Sequence, residues 1–380
     1  MSTVLCVGQG PFNDRCVYVT DEFLISSSLE KSRTTQVSTR FALEKLWNKA
    51  RDQADEKNLP YEAGILGGTG TNVMKVLSQL GHQCRLSGMI GTDGNPLEER
   101  VSSLGIKSLF SKGEEETGRV NCFISAGDKE RTMQTFLGSA KELTEEHVTQ
   151  DYFNNVKHVH FEGFLIFNGK VIDKSLDFTK SANSHATTSI DLGSSDAVKA
   201  MRKDFLNCIE RIDYIFGNEQ EFEALYPGKS TTEAVESFKL DKTVIATMGS
   251  RGCLIKEKGK KQAKHYNAKH IDRNEIKDTT GCGDYFAAGI LHGILTKQKI
   301  EKCVEIGNLA ATYVIRQLGA DLKDHTWRAL KKDLEKITQP ELKRRPPKAR
   351  SAEPTLATRN QSTGDLVLAI HNHNDNDDDE

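Results

Sequence analysis

The sequence predicts an α/β fold, with a mostly parallel central sheet covered by helices on both faces and a small accessory sheet beside it. Three observations predict it. From residue 84 onward, apolar runs of strand length alternate with helix-length amphipathic stretches, the βαβα rhythm that builds a parallel sheet. Apolar runs close in glycine turns, as Val4-Leu5-Cys6-Val7 does at Gly8 and Gly10. Two segments, 17–37 and 117–137, fall outside the rhythm and read as strand pairs that project as a small sheet.

Taken in order, 4–7 reads as a buried strand and Val17 to Ile25 as a second one. Residues 38–58 form a charged, helix-favouring insertion with room for a partner, its apolar positions 43, 46, 47 and 50 at helical spacing. Behind Gly67-Gly68, residues Val73, Val76, Leu77 and Leu80 fall at i, i+3, i+4 and i+7, and Gly81 stops that helix. A strand over 84–90 and a helix to Leu104-Gly105 follow. The alternation then runs strand 156–161, helix 170–182, strand 187–191, helix 196–209, strand 212–216, helix 219–226, strand 243–247.

The last forty residues change character. Residues 343–350 (KRRPPKAR) are basic and proline-bearing, and 375–380 are almost wholly acidic. Such a composition buries too little apolar surface to offset ordering entropy, so 341–380 is expected to be a disordered tail, with 364–370 apolar enough to dock as a short strand.

Composition excludes several classes. A formal net charge of −2 over 380 residues gives no electrostatic reason for nucleic acid or anionic membrane as a partner. No run approaches the ~18 apolar residues of a membrane span. The opening MSTVLCVGQG has no basic region before its apolar run, so no secretory signal is expected. Eight cysteines without a C-x-x-C pair fit reduced thiols and a cytoplasmic protein. His371 and His373 lie in the polar tail, and structural zinc is not indicated.

The sharpest motif is Asp278-Thr279-Thr280-Gly281-Cys282-Gly283-Asp284, leading into Tyr285-Phe286-Ala287-Ala288-Gly289-Ile290-Leu291. Glycines around a small residue at a helix start aim backbone amides at one spot, on the positive end of the helix dipole. Asp284 in the first turn, beside a bound anion, is placed to take a proton from an attacking hydroxyl. A bare Gly-x-Gly-Asp more often does no more than cap a helix; the full string and its small-residue helix favour the anion site.

This string resembles the C-terminal signature of the ribokinase (PfkB) family of sugar and nucleoside kinases, usually Asp-Thr-x-Gly-Ala-Gly-Asp. Cys282 replaces the alanine, leaving the amides in place and adding a thiol whose helix N-terminal setting is expected to lower its pKa. Further elements similar to the family follow in family order. Gly67-Gly68-Thr69-Gly70-Thr71-Asn72 resembles its Gly-Gly-x-x-x-Asn substrate loop. The family's Gly-x-Asp-x-x-Gly stands here as Gly91-Thr92-Asp93-Gly94-Asn95-Pro96, a departure expected in a surface turn. Asn218-Glu219-Gln220-Glu221 matches Asn-x-x-Glu, Thr247-Met248-Gly249-Ser250-Arg251-Gly252 matches the Thr-x-Gly-x-x-Gly nucleotide loop, and Asn308-Leu309-Ala310-Ala311 fits the helix beside the nucleotide base.

Each element also has a plainer reading: Asn218/Glu221 as an exposed helix start, Thr247 and Gly249 as a strand-ending turn, Asp14 as a turn residue before a strand. Joint occurrence in order favours the functional reading for the set. A dinucleotide fingerprint at Gly8-Gln9-Gly10 fails because the third glycine is replaced by Asn13 and strand rather than helix follows. No P-loop occurs.

The resemblance covers about 3–330 and implies a ribokinase-like three-layer αβα domain over 1–335. Lid strands are expected at about 15–37 and 117–138. It implies transfer of the ATP γ-phosphate to a hydroxymethyl group. Asp284 is the base, the amides of Gly281, Cys282 and Gly283 hold the phosphoryl, and Asp14, Gly68, Asn72 and the lid residue Arg131 hold the acceptor. Asn218, Thr247, Gly249, Gly252 and Asn308 meet the nucleotide, and Asn218 with Glu221 organises Mg2+ through water. K+ is common in the family. The wording of 21–24, 130–133 with 137–138, and 162–165 is similar to the adenosine-kinase-like branch, which implies adenosine or a ribose- or fructose-type sugar as acceptor. Phe23, Phe136 and Phe167 are available to stack on a base, each with a core or lid reading beside it. The other class kept open is a kinase-shaped sensor or interaction protein without turnover. A monomer or homodimer is expected.

Overall fold

Val4, Leu5, Cys6 and Val7 are each fully buried, the signature of a central strand with helices on both faces. In the computed structural model, which describes residues 1–338, they form β1 (Thr3–Val7). In chain order follow β2 (Phe12–Val19), α1 (Asp21–Ser26), β3 (Thr34–Val37), α2 (Arg40–Lys57), β4 (Tyr61–Gly67), α3 (Thr69–Gln79), β5 (Gln83–Ile90), α4 (Asn95–Ser103) and β6 (Ile106–Lys112). Next come β7 (Arg119–Ser125), β8 (Arg131–Phe136), β9 (His158–Glu162), α5 (Gly169–Ala182), β10 (Thr187–Asp191), α6 (Ser195–Ala200) and α7 (Arg202–Ile209). The chain continues through β11 (Tyr214–Asn218), α8 (Glu219–Leu225), α9 (Thr231–Glu236), β12 (Thr243–Thr247), β13 (Cys253–Lys256), β14 (Lys264–Tyr266), α10 (Cys282–Leu295), α11 (Ile300–Val314) and α12 (Asp324–Thr338). The tail expected over 341–380 lies outside the described residues.

The large sheet runs β14-β13-β12-β11-β10-β9-β1-β5-β6. It is parallel except at one edge, where β13 and β14 pair antiparallel. Because side chains alternate, Val4 and Cys6 join α3, α10, α11 and α12 in one core, whereas Leu5 and Val7 join α5, α7, α8 and α9 in the other. This is the three-layer αβα arrangement. The small sheet runs β3-β8-β7-β2-β4. Its outer face packs Val17, Val19 and Phe123 against Trp47, Ala50 and Ala54 of α2, so one face of the 38–58 insertion covers this sheet.

Three expectations need correction. The strand expected over 17–25 stops at Val19, and 21–26 are helical. The Thr20 side chain accepts from the Phe23 amide, with Asp21 and Glu22 in the first turn, a strong start signal that outweighs the alternation. The helix over 196–209 is two helices broken at Met201. The Gly91–Pro96 turn is more than surface: the buried Gly91 amide donates to Thr117 Oγ1 (2.9 Å), and Asp93 accepts from the Thr117 amide (2.7 Å) and Arg119 (2.8 Å).

One feature of the core sets an acid limit on stability. His158 and His160 of β9 are fully buried; His158 Nε2 and His160 Nδ1 both bond Ser189 Oγ on β10, at 2.7 and 2.8 Å. Burial lowers their pKa values to about 3 and about 4, so acid must protonate them in the unfolded chain first. As pH falls from 6.5 to 5, each histidine is expected to remove about 2 kcal/mol of stability. Buried carboxylates with raised pKa values, described below, work in the opposite direction, so a comparison isolates the histidines. In urea unfolding, wild type should lose about that amount relative to His158→Asn between pH 7 and 5. Parallel pH profiles for the two would refute the assignment.

Candidate active site

The acceptor side is built from β2, the end of β4 and the start of α3. Asp14 lies on β2 opposite Ile65 of β4, and a Cβ on Gly67 would run into its carboxylate. Gly68 has φ +98° and abuts the Gly10 carbonyl, where an added Cβ would sit 2.9 Å from that oxygen; only glycine makes this turn without strain. The turn delivers Asn72 into the first turn of α3. Asp14 Oδ1 and Asn72 Oδ1 are buried with no partner among the described residues, so the fold aims two acceptors at a space that offers them no protein donor. Burial raises the Asp14 carboxyl to about 7, Asp278 adds to the rise and Lys75 opposes it.

The opposite wall is the 278–284 loop. Asp278 holds it from below, accepting from the Thr280 amide and the Gly319 amide, each at 2.8 Å. Gly281 sits at φ +77° as the residue before α10, a left-handed conformation that places the first helical amides over the cleft. The Cys282 amide turns back to Thr279 O (3.2 Å), whereas the amides of Gly281, Gly283 and Asp284 have no protein acceptor among the described residues. Two of the three expected phosphate-facing amides are therefore free, and Asp284 contributes another. Cys282 departs from expectation: burial raises its thiol to about 12, because desolvation outweighs the helix end.

The two walls meet. Asn72 Nδ2 donates to Asp284 Oδ2 at 2.7 Å, across 212 residues of sequence. Burial raises the Asp284 carboxyl to about 8; Asn72 and Arg131 oppose the rise, and Asp191 and Glu162 add to it. The small sheet closes over this junction. Tyr18 donates its hydroxyl proton to Lys277 O, Cys122 Sγ lies 3.2 Å from Thr280 Oγ1, and Arg131 Nη1 donates to Thr279 Oγ1 at 3.1 Å. The Arg131 cation also opposes the rise that burial gives the Glu221 carboxyl and the Cys282 thiol.

On the other side, at the carboxyl ends of the strands, Asn218 ends β11. Asn218 and Glu221 form a reciprocal capping box: the Asn218 amide reaches Glu221 Oε2 (2.8 Å), and the Glu221 amide reaches Asn218 Oδ1 (3.0 Å). Glu221 is buried, not an exposed helix start, and burial together with Asp191 raises it to about 8. Asp191, at the end of β10, is itself raised to about 6 by burial. Among the described residues no three His, Cys, Asp or Glu groups converge as a metal cage. What exists is an acidic wall of Glu162, Asp191, Glu221 and Asp284, in which the Asp191 charge adds to the rise that burial gives the other three carboxyls. Such a wall suits a hydrated Mg2+ held through its waters and the nucleotide phosphates.

Thr247 ends β12, and its hydroxyl donates to Gly217 O (3.3 Å). Gly249 and Gly252 follow at φ +58° and +94°, turning the chain into β13. Asn308 on α11 faces the same side, donating to Asn267 O at 3.1 Å. Of the aromatic candidates, Phe23 packs on Phe123 in the outer core of the small sheet (5.8 Å between rings), Phe136 is buried, and Phe167 is 57% exposed.

Residues 54–327 match the description pfkB family carbohydrate kinase. The chain belongs to that family. This PfkB kinase is 27% identical over 290 residues to a nucleoside kinase of Methanocaldococcus jannaschii, covering 73% of this chain and 88% of the relative. It is 25% identical over 298 residues to an adenosine kinase of Dictyostelium discoideum, covering 70% and 86%. Among solved structures it resembles a probable sugar kinase of Rhizobium etli (TM-score 0.77, 28% identity, 87% of this chain and 98% of that one). The adenosine kinase of Sinorhizobium meliloti is similar too (TM-score 0.75, 25% identity, 87% and 99%). The PfkB kinase is accordingly a phosphotransferase that uses ATP, on the ribokinase-like fold. No helix among its described residues is long and apolar enough to cross a membrane.

Sequence reasoning missed two buried carboxylates. Glu162 ends β9 and accepts from the Gln9 amide (2.6 Å) and the Gly70 amide (2.7 Å), joining β1 to the start of α3. Asp191 ends β10 and accepts from the Gly193 amide (2.9 Å). The available signal was position: each is an acid at the carboxyl end of an interior parallel strand, where open α/β folds bind ligands.

Proposed function

We propose that the protein transfers the γ-phosphate of ATP to a primary hydroxyl of adenosine or of a ribose- or fructose-type sugar, with Asp284 as general base. The observation that carries the reading is the Asn72–Asp284 hydrogen bond beneath free helix amides. Asn72 occupies Oδ2, which leaves Oδ1 of Asp284 to take the acceptor's hydroxyl proton as its oxygen attacks phosphorus. The amides of Gly281, Gly283 and Asp284 stabilise charge on the phosphoryl oxygens, and Arg131 adds a cation from the lid. Asp14 and the Asn72 side-chain oxygen accept from acceptor hydroxyls, with Gly68 shaping the turn beneath them. Asn218, Thr247, Gly249, Gly252 and Asn308 line the nucleotide side. Asn218 and Glu221 would hold a hydrated Mg2+ through its waters, and the ion would supply positive charge against the nucleotide phosphates. The closed small sheet excludes water, a competing acceptor. A nucleoside acceptor is favoured by the nucleoside and adenosine kinases among the relatives.

The test is ADP release from MgATP with adenosine, ribose or fructose, with and without potassium. Release dependent on one acceptor, with phosphate on its hydroxymethyl group, is expected. Acceptor-independent release only, from protein whose melting temperature MgATP raises, would refute the reading.

A further inference from the structure

Lys75 is a lysine with no exposed surface, on α3 one turn after Asn72. Its ammonium donates to Leu66 O and to Ala320 O, both at 2.6 Å, and stands 3.8 Å from Asp321 Oδ1. Burying an ammonium is unfavourable unless its three donors are met, and nothing in the mechanism above uses this one. Its two carbonyl partners lie on opposite walls of the cleft. Leu66 leads into Gly67-Gly68, the turn that carries Asn72 and abuts Asp14. Ala320 backs the phosphate cradle: a Cβ on Gly281 would sit 2.6 Å from Ala320 Cβ, and Ala320 O also accepts from Tyr285 of α10 (3.0 Å). The adjacent Gly319 amide bonds Asp278 at the root of the cradle.

We propose that Lys75 is a positioning residue for phosphoryl transfer, clamping the acceptor turn at Leu66 to the 319–321 loop behind the cradle and so fixing the distance between acceptor and phosphate. This deepens the kinase reading and rests on it. An apolar side chain of similar length would fill the volume but tie neither carbonyl, and the two walls would be free to drift apart. Reacting groups must be held near 3–3.5 Å, and a 1 Å misplacement removes about a hundredfold in rate. The clamp also carries charge. The groups facing the ammonium are Asp321 from the loop, Asp14 from β2, Asp284 from α10 and, behind Asp321, Arg100 from α4 (2.8 Å). Burial lowers Lys75 to about 8; the three aspartates oppose that fall and Arg100 adds to it. Conversely, the ammonium favours the ionised form of Asp14 and Asp284.

The experiment compares wild type with Lys75→Met. Expected are a fall in kcat of about a hundredfold, a KM for MgATP within twofold (roughly, since the nucleotide side is untouched), and an acid limb of kcat/KM moved to higher pH. Lost packing alone would lower the melting temperature without moving that limb. Unchanged kcat, or an unmoved limb, overturns the proposal. If Lys75→Met does not fold, Arg100→Met, at a half-exposed surface position, serves instead. It removes the cation opposing Lys75, so the alkaline limb should move to higher pH, and a fixed limb overturns the proposal. Hydrogen exchange needs no turnover and separates this failure from that of the kinase reading. In Lys75→Met the bonded amides of Asn72 on one wall and of Cys282 and Tyr285 on the other should exchange faster together, and no change, or a change confined to one wall, overturns the clamp even if no acceptor is found.

Discussion

Asp284→Asn is expected to lower kcat by about 10²–10⁴, with the KM for MgATP and for the acceptor little changed. The substitution keeps size and can keep a contact with Asn72, but it leaves nothing to receive the acceptor's proton. Its effect on stability should have the opposite sign. The Asp284 carboxyl, pushed by burial to about 8, has a folded pKa far above its unfolded one. The folded state therefore binds the extra proton, and stability from this group falls as pH rises from about 4 to about 8. An amide carries no such penalty, so the variant should be more stable at pH 7, by roughly 0.5–2 kcal/mol. Loss of turnover with a raised melting temperature separates a removed base from a damaged fold. In wild type the same raised carboxyl predicts that kcat/KM increases with pH towards 8, since the base works only when ionised. A flat profile between pH 6 and 8, or near-normal turnover by Asp284→Asn, would sink the base assignment.

The elements most legible in the sequence are those whose information is local. Val4–Val7 reads as a buried strand because all four residues are apolar, and the helix behind Gly67-Gly68 because its apolar positions share one face. The 278–284 string combines glycines, a helix start and an acid within seven residues, so the cradle can be located without knowing what surrounds it. What is not legible depends on distant partners. No pattern near Asn72 says that it bonds a carboxylate 212 residues away. Lys75 reads as a surface lysine on an amphipathic helix until β4 and the 319–321 loop close over it. The Cys282 thiol illustrates the same limit: the helix end visible in sequence favours thiolate, while the burial that dominates comes from the assembled loop. Short strands such as β13 and β14 escape notice because charged residues flank them and pairing, not periodicity, defines them. The split at Met201 is likewise marked by no proline or glycine.

Asp14→Ala is expected to raise the acceptor KM by about 10²–10³ while MgATP affinity stays near wild type. Hydrogen bonds to a charged group contribute about 1.5–3 kcal/mol each, and a carboxylate can accept from two neighbouring hydroxyls. The unpartnered buried Oδ1 makes the case for a ligand partner: a buried acceptor with no donor is costly in the free protein, and that cost is relieved when a hydroxyl arrives. Acceptor binding therefore carries a pH signature. Burial first, then Asp278, holds the carboxyl near 7 against Lys75, so the free protein is largely protonated below that value and ionised above it. The ionised form accepts more bonds, and acceptor affinity should strengthen as pH rises from 6 to 8. Asp14→Asn is neutral at every pH and should flatten this dependence while retaining a smaller share of affinity than wild type, because neutral bonds contribute about half as much. Calorimetry of the acceptor with a non-hydrolysable nucleotide in place reads both effects. If Asp14→Asn keeps the wild-type slope, the titrating group lies elsewhere; if Asp14→Ala binds acceptor normally, the pocket lies on another face of the small sheet.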